Sequence, residues 1–333
     1  MQGVASSMIE EIGRDFFMIT LPMPFRLKHV HIFATVYDGR VALFDTGLNL
    51  RQTITTLERD LESIGRSISQ VDRIFVTHYH ADHCGIAGYI QEISGAEVQM
   101  SAIDWQRIQV NTAVPSVLEQ FKEFYFRHDL PQASIRMLTK MQKMFRSATL
   151  PFTVGCCLEP DGWYDLDGRT FQAIDVPGHS RGQVCFFFPE EGFLLSGDHV
   201  LPEITPNLSP DLFAPSFRPL KSFLSSLERI NGLPVKRVYP GHGDPFNDLR
   251  SRIKEIKHHH VQRTNLILQS LRDEAKTTFQ VSQDIFEPDL SDFDQFLALN
   301  ETYVHLLNLL EEQQIAEALT LDGKVRWSLI VHR

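Results

Sequence analysis

The residues with the clearest chemical potential lie in one loop, "THYHADHCG", spanning 77–85. His78 and His80 are two apart, so an extended segment projects them to the same side. Asp82 and His83 follow the bend and face a neighbouring position. Imidazole nitrogens and carboxylate oxygens are the usual ligands of zinc, and a catalytic site keeps one coordination position open for water. Three short stretches later in the chain add matching groups: His179 in "PGHS", Asp198 in "SGDH" and His242 in "PGHGD". Each follows a strand-like run, "FQAIDV", "FLLSG" and "KRVYP" respectively. Polar groups at strand ends converge at one edge of a sheet. Together the loop and the three turns offer seven candidate ligands, enough for two metals with a carboxylate shared between them.

Elements of regular spacing must position these groups. "HVHIFATVYDGRVALFDTG" contains two strand-like runs joined at Asp38-Gly39, a hairpin signal. "TITTLERDLESIG" has helical periodicity ending at Gly65, and "RIFVT" follows as a strand. That order predicts layered α/β architecture. Residues 101–150 read as a helical insertion, with Leu118, Phe121 and Tyr125 on one stripe and Met137, Met141, Met144 and Phe145 on another. Such side chains pack on a core, or cover a site with an adaptable apolar wall. From residue 251 the pattern becomes helical. Ile253, Ile256, Ile267 and Leu271 mark one helix, and Phe296, Leu299, Tyr303, Leu306 and Leu310 a second. "IAEALTLDGKVRWSLI" closes the chain as a hairpin around Asp322-Gly323. Helices followed by a hairpin outline a winged-helix-like module.

Composition narrows the class. The chain has 333 residues, 43% hydrophobic and 22% charged, as in an ordinary globular enzyme. A net charge of −10 argues against a protein devoted to gripping nucleic acid. No apolar run is long enough to suggest a membrane span, and the first residues lack the pattern of a secretory signal. Cys84, Cys156, Cys157 and Cys185 form no disulfide-like framework, so a reduced cytoplasmic location is expected.

The ordered set "THYHADHCG", "PGHS", "SGDH" and "PGHGD" resembles the metallo-β-lactamase-fold hydrolases. The resemblance covers about residues 15–250 and implies an αββα sandwich with a dinuclear metal centre at one edge. It implies that His78, His80 and His179 bind the first metal, that Asp82, His83 and His242 bind the second, and that Asp198 bridges them. Asp45 of "DTG" would steady the histidine loop from behind. The tail resembles the helical, winged-helix-like extension of one branch. The expected division is therefore a catalytic domain over 1–250, carrying the insertion, and a winged-helix-like domain over 251–333. His80 stands where the flavodiiron oxygen reductases of this fold carry glutamate, which favours hydrolysis over redox work.

The expected cofactors are two divalent ions, Zn²⁺ first, with Fe or Mn also suited to mixed His/Asp ligands. The expected reaction is attack of a metal-bridged hydroxide on an ester or thioester carbonyl, of the acyl-thioester or lactone class, with Asp82 and Asp198 as its catalytic carboxylates. The alternative is an endoribonuclease or phosphodiesterase, for which Lys236, Arg237, Arg250, Arg252, Lys254 and Lys257 would meet phosphates. A metal-dependent DNA-binding regulator is a third, weaker reading. The expected partner is a small molecule with an apolar acyl part, with no membrane and with self-association open.

Overall fold

The computed structural model describes residues 9–113 and 116–330. Strands β1 (Ile9–Gly13), β2 (Phe16–Pro22), β3 (His29–Tyr37) and β4 (Arg40–Phe44) form an antiparallel meander. The β3–β4 turn is the expected Asp38-Gly39 pair, and both residues take positive φ, which this tight hairpin requires. Helix α1 (Arg51–Ser63) then leads to β5 (Val71–Phe75), parallel to β4. The short helix α2 (Ala81–Cys84), α3 (Ala87–Ser94) and β6 (Glu97–Ser101) follow. The insertion is three helices, α4 (Ala102–Ala113), α5 (Ser116–Arg127) and α6 (Gln132–Ser147), before β7 (Val154–Leu158) completes a seven-stranded sheet in sequential order.

A second sheet has five strands. These are β8 (Trp163–Leu166), β9 (Arg169–Asp175), β10 (Val184–Phe188), β11 (Phe193–Gly197) and, beyond α7 (Pro219–Asn231), β12 (Arg237–Pro240). Alternation along β10 explains the layering. Phe186 and Phe188 enter the core between the sheets, whereas Cys185 and Phe187 point to the opposite face. Between the sheets Phe44 meets Phe75, Phe171 and Phe186 at ring separations of 5.1, 5.2 and 5.1 Å. Helices α1 and α3 cover the outer face of the first sheet through Leu57, Leu61 and Ile90. Helix α7 covers the second through Phe223, Leu227 and Ile230. The result is helix, sheet, sheet, helix.

The tail continues without a linker. Helix α8 (Leu249–Ser270) begins on the Asp248 side chain, which accepts from the Ser251 N–H. Ile253 and Ile256 pack under the second sheet, while Ile267 belongs to a separate core further along the same helix. Strand β13 (Lys276–Thr277), α9 (Thr278–Ile285), α10 (Asp292–Glu311), β14 (Ile315–Leu319) and β15 (Val325–Leu329) follow, with the strands in the order β13-β15-β14. Trp327 fills this last core, fully buried, and its indole N–H donates to Thr278.

The insertion packs on the tail. Phe121, Tyr125, Ile135 and Leu138 share a cluster with Leu299 of α10. Met141, partly buried, packs against this cluster, whereas Met137 is exposed. The side chains of Met144 and Phe145, expected on the same stripe, lie outside the described residues. Among the described residues no helix is long and apolar enough to cross a membrane.

Candidate metal centre

The seven residues singled out by spacing come together at one edge of the two sheets. Ligand atoms of His78, His80, His179 and Asp198 form one group and those of Asp82, His83 and His242 a second, each within 4.8 Å of one another. Asp198 faces both. Its Oδ2 lies 3.6 Å from His179 Nε2 and 4.0 Å from His78 Nε2. Its Oδ1 lies 3.4 Å from His83 Nε2 and 3.5 Å from His242 Nε2. Asp82 Oδ2 stands 3.3 Å from His242 Nε2 and 3.8 Å from His83 Nε2.

Strand ends explain the convergence. His78 and His80 follow β5, with His80 in extended backbone, and Asp82 and His83 lie in the single turn of α2. His179, Asp198 and His242 follow β9, β11 and β12. Gly241 is required for this approach. A Cβ there would sit 2.7 Å from Asp198 Oδ1 and 2.9 Å from His83 Cε1.

The donor set suits cations. Each of three imidazoles gives its Nδ1–H to an anchor, His83 to Asp45 (2.7 Å), His179 to the Asn207 carbonyl (2.8 Å) and His242 to the His29 carbonyl (2.7 Å). That fixes the tautomer and turns each Nε2 lone pair inward. His80 Nδ1 lies 3.0 Å from His78 Nε2 and 2.9 Å from His179 Nε2, and it has one proton at most to share between them. Buried Nε2 of His83 and His242 and Oδ1 of Asp198 have no hydrogen-bond partner among the described residues. Converging nitrogen and oxygen atoms without a hydrogen-bond partner are what a metal ion satisfies.

Electrostatics agree. Burial holds His78 well below the usual histidine range, and the His83 and His80 rings lower it further. Burial, followed by the His179 ring, brings His80 down to about 3. Both are neutral, the form that ligates a metal. In the second group burial opposes charge on His83, but Asp198, Asp45 and Asp82 overcome it and raise its pKa well above the ordinary value. Asp82, although burial favours its neutral form, is drawn down to about 2 by His83 and His242. The pocket thus calls for positive charge.

Asp45 lies behind the loop. It accepts from the Thr77 N–H (2.7 Å) and hydroxyl (2.9 Å) as well as from His83. His199 turns away from the cluster and packs edge-on against Phe223.

Sequence spacing did not single out several positioning groups. Asp104, at the start of α4, accepts from the Tyr79 N–H (3.0 Å), the Ser180 hydroxyl (2.7 Å) and the Gly182 N–H (2.8 Å). Burial raises its pKa to about 6 against the pull of these bonds. Gln183, with its carboxamide oxygen toward the end of β11, accepts from the N–H groups of Asp198 and His199. His31 ties β3 to the Gly243 carbonyl at 3.0 Å. None of these residues sits in a metal-ligand pattern, and only tertiary proximity reveals them.

Known proteins share this fold. The chain is 27% identical over 314 residues to "Probable metallo-hydrolase YqjP" of Bacillus subtilis, covering 90% of this chain and 94% of that one. A crystal structure of a metallo-beta-lactamase family protein from Thermus thermophilus superposes with a TM-score of 0.82 at 27% identity, covering 95% of this chain and 99% of the other. A shorter match, 27% identical over 117 residues and 34% of each chain, is to an atrochrysone carboxyl ACP thioesterase of Aspergillus fumigatus. The family model of the metallo-beta-lactamase superfamily matches residues 28–242, from the strand that anchors His242 to His242 itself, and the chain belongs to that superfamily.

Proposed function

We propose that this protein is a dinuclear metal-dependent hydrolase acting on an acyl carbonyl, of the thioester, ester or lactone class. The observation that carries the proposal is the division of Asp198, one carboxylate oxygen toward each histidine cluster. In this reading His78, His80 and His179 hold one ion, Asp82, His83 and His242 the other, and Asp198 both. Two divalent ions, Zn²⁺ first by ligand type, would supply a water of lowered pKa and a Lewis acid for the carbonyl oxygen. Asp82, kept ionised by His83 and His242, would take up the proton released in the attack and pass it to the departing thiolate or alkoxide.

Two observations favour an acyl substrate over a phosphodiester. Half of the basic stretch expected to meet phosphates is engaged within the molecule. Arg237 donates to Asn247, Arg252 to the carbonyls of Leu201 and Ile204 and to Glu255, and Lys257 pairs with Glu228. One relative carries a thioesterase name.

The order helix, strand, helix, helix, hairpin supports the winged-helix-like reading of the tail and a division near residue 250, with α8 shared between the two parts. On the hairpin Lys324 is held by Asp129 and the Phe126 carbonyl, and Arg326 reaches Gln280. Packing, rather than DNA binding, is the role this supports. A cytoplasmic location and a small-molecule partner complete the proposal.

The test is hydrolysis by metal-quantified protein of acyl-thioesters and lactones against single-stranded RNA and a bis-aryl phosphodiester. Metal-dependent turnover of the acyl panel is expected. Turnover confined to the phosphodiesters would overturn the acyl reading.

A further inference from the structure

The histidine anchors are unequal. His83 is held by Asp45, which follows β4, and His242 by the His29 carbonyl, which opens β3. Both anchors belong to the first sheet. His179 instead donates to the carbonyl of Asn207, inside the segment 201–218 that connects β11 to α7 with neither helix nor strand. A segment without a hydrogen-bonded ladder has no rigidity of its own, so its carbonyl stays in place only if something else holds it.

The tail holds it. Asn207 Nδ2 donates to the Leu297 carbonyl of α10 at 3.1 Å. Asn207 Oδ1 accepts from the Ser209 hydroxyl at 2.9 Å, and Ser209 Oγ accepts from Asn300 Nδ2 at 3.1 Å. Asn300, fully buried, accepts from the Tyr125 hydroxyl of the insertion at 2.8 Å. At the near end of the segment Arg252 of α8 donates to the Leu201 and Ile204 carbonyls. Each donor in the series Tyr125, Asn300, Ser209 has a distinct acceptor, so the series has one direction and no competing arrangement among these partners.

We propose that Asn207, Ser209 and Asn300 are positioning residues of the metal centre, through which the tail sets the orientation of the His179 imidazole. The proposal rests on the reading of His179 as a metal ligand. The connection is mechanical and not a proton path, because Asn207 links its side chain to its own carbonyl through saturated carbon. It gives the tail and insertion a role in metal affinity although neither contributes a ligand. A partner that displaced α10 would loosen His179 while leaving His83 and His242 on the first sheet.

The experiment is titration of the full-length, metal-depleted protein with Zn²⁺ against a chromophoric chelator, with thermal unfolding of each metal-free form and the ligand-field spectrum of its Co²⁺ form. His179→Ala tests the underlying reading and is expected to lose one tight equivalent. Asn207→Ala and the milder Ser209→Ala are expected to retain both equivalents but to bind one roughly 10- to 100-fold more weakly, the range typical of groups that orient a ligand. Their Co²⁺ bands shift. Val281→Ala, buried in the tail core but outside the series, serves as the stability control: it lowers the unfolding temperature and leaves affinity unchanged. Wild-type affinity and spectrum in Ser209→Ala and Asn207→Ala, with His179→Ala one equivalent short, would overturn the positioning role alone. Two tight equivalents in His179→Ala would overturn the ligand reading and the proposal with it. Weakening by Val281→Ala equal to that by Ser209→Ala would reduce the effect to general stability and also overturn the proposal.

Discussion

Asp104 accepts the Ser180 hydroxyl at 2.7 Å and the Tyr79 N–H at 3.0 Å, joining the loop that carries His78 and His80 to the turn that carries His179. The two ligand segments are far apart in sequence, and one buried carboxylate sets their separation. Asp104→Ala leaves the Tyr79 and Gly182 N–H groups and the Ser180 hydroxyl without their acceptor, a cost of about 1–3 kcal/mol for each group left unsatisfied. Chemical denaturation of the metal-free variant is expected to show that loss. Asp104→Asn retains one carbonyl acceptor, but its amide NH₂ must then face either the Tyr79 or the Gly182 N–H, so an intermediate loss is expected.

Gly241→Ala tests the crowding at Asp198. The added methyl lies within 3 Å of Asp198 Oδ1 and His83 Cε1, so the carboxylate or the ring must move. A displacement of about 1 Å at a catalytic group costs on the order of 10²-fold in rate. Hydrolysis assays should show a fall of that order together with weaker metal retention, while circular dichroism stays that of the parent.

Asp198→Ala removes the group that faces both clusters. Metal analysis is expected to find fewer than two retained ions, and turnover of any substrate accepted by the parent should disappear. A variant that kept both ions and its turnover would refute the bridging assignment.

Part of the acid sensitivity, outside the metal centre, should reside in the contact between tail, insertion and α7. Burial holds His128 at about 3, His260 at about 4 and His305 at about 3, all below the ordinary histidine value. The unfolded chain therefore takes up protons that the folded one refuses. Stability from these groups is complete above about pH 6.5 and is lost as pH falls toward 3–4, at up to about 1.4 kcal/mol per pH unit for each group. His305→Gln is expected to flatten the fall in unfolding temperature between pH 6.5 and 4.

Trp327→Ala empties the core of the tail. Removal of a fully buried large aromatic costs about 3–5 kcal/mol. Equilibrium unfolding should register that loss, either as a shifted transition or as separate melting of the tail.

The amino-acid sequence alone determined which atoms are available for metal binding and where strands must end to present them. Alternation placed Phe186 and Phe188 on one face of β10, and the Asp38-Gly39 pair defined the first hairpin, because period-two patterning and positive φ are local properties. The seven ligand candidates were legible for the same reason: imidazole and carboxylate side chains at strand ends are visible without knowledge of the packing. Their supports were not. Asp104 reads as an ordinary acidic residue in the first turn of a helix, and Asn207 as one polar residue in a long connection. What each contacts depends on how α4, α10 and the 201–218 segment dock, and docking is decided by the burial of Phe121, Tyr125 and Leu299 rather than by any short pattern. A hydrogen bond has a range of about 3 Å, so residues that steady a site from distant parts of the chain become identifiable only once tertiary structure has placed them there.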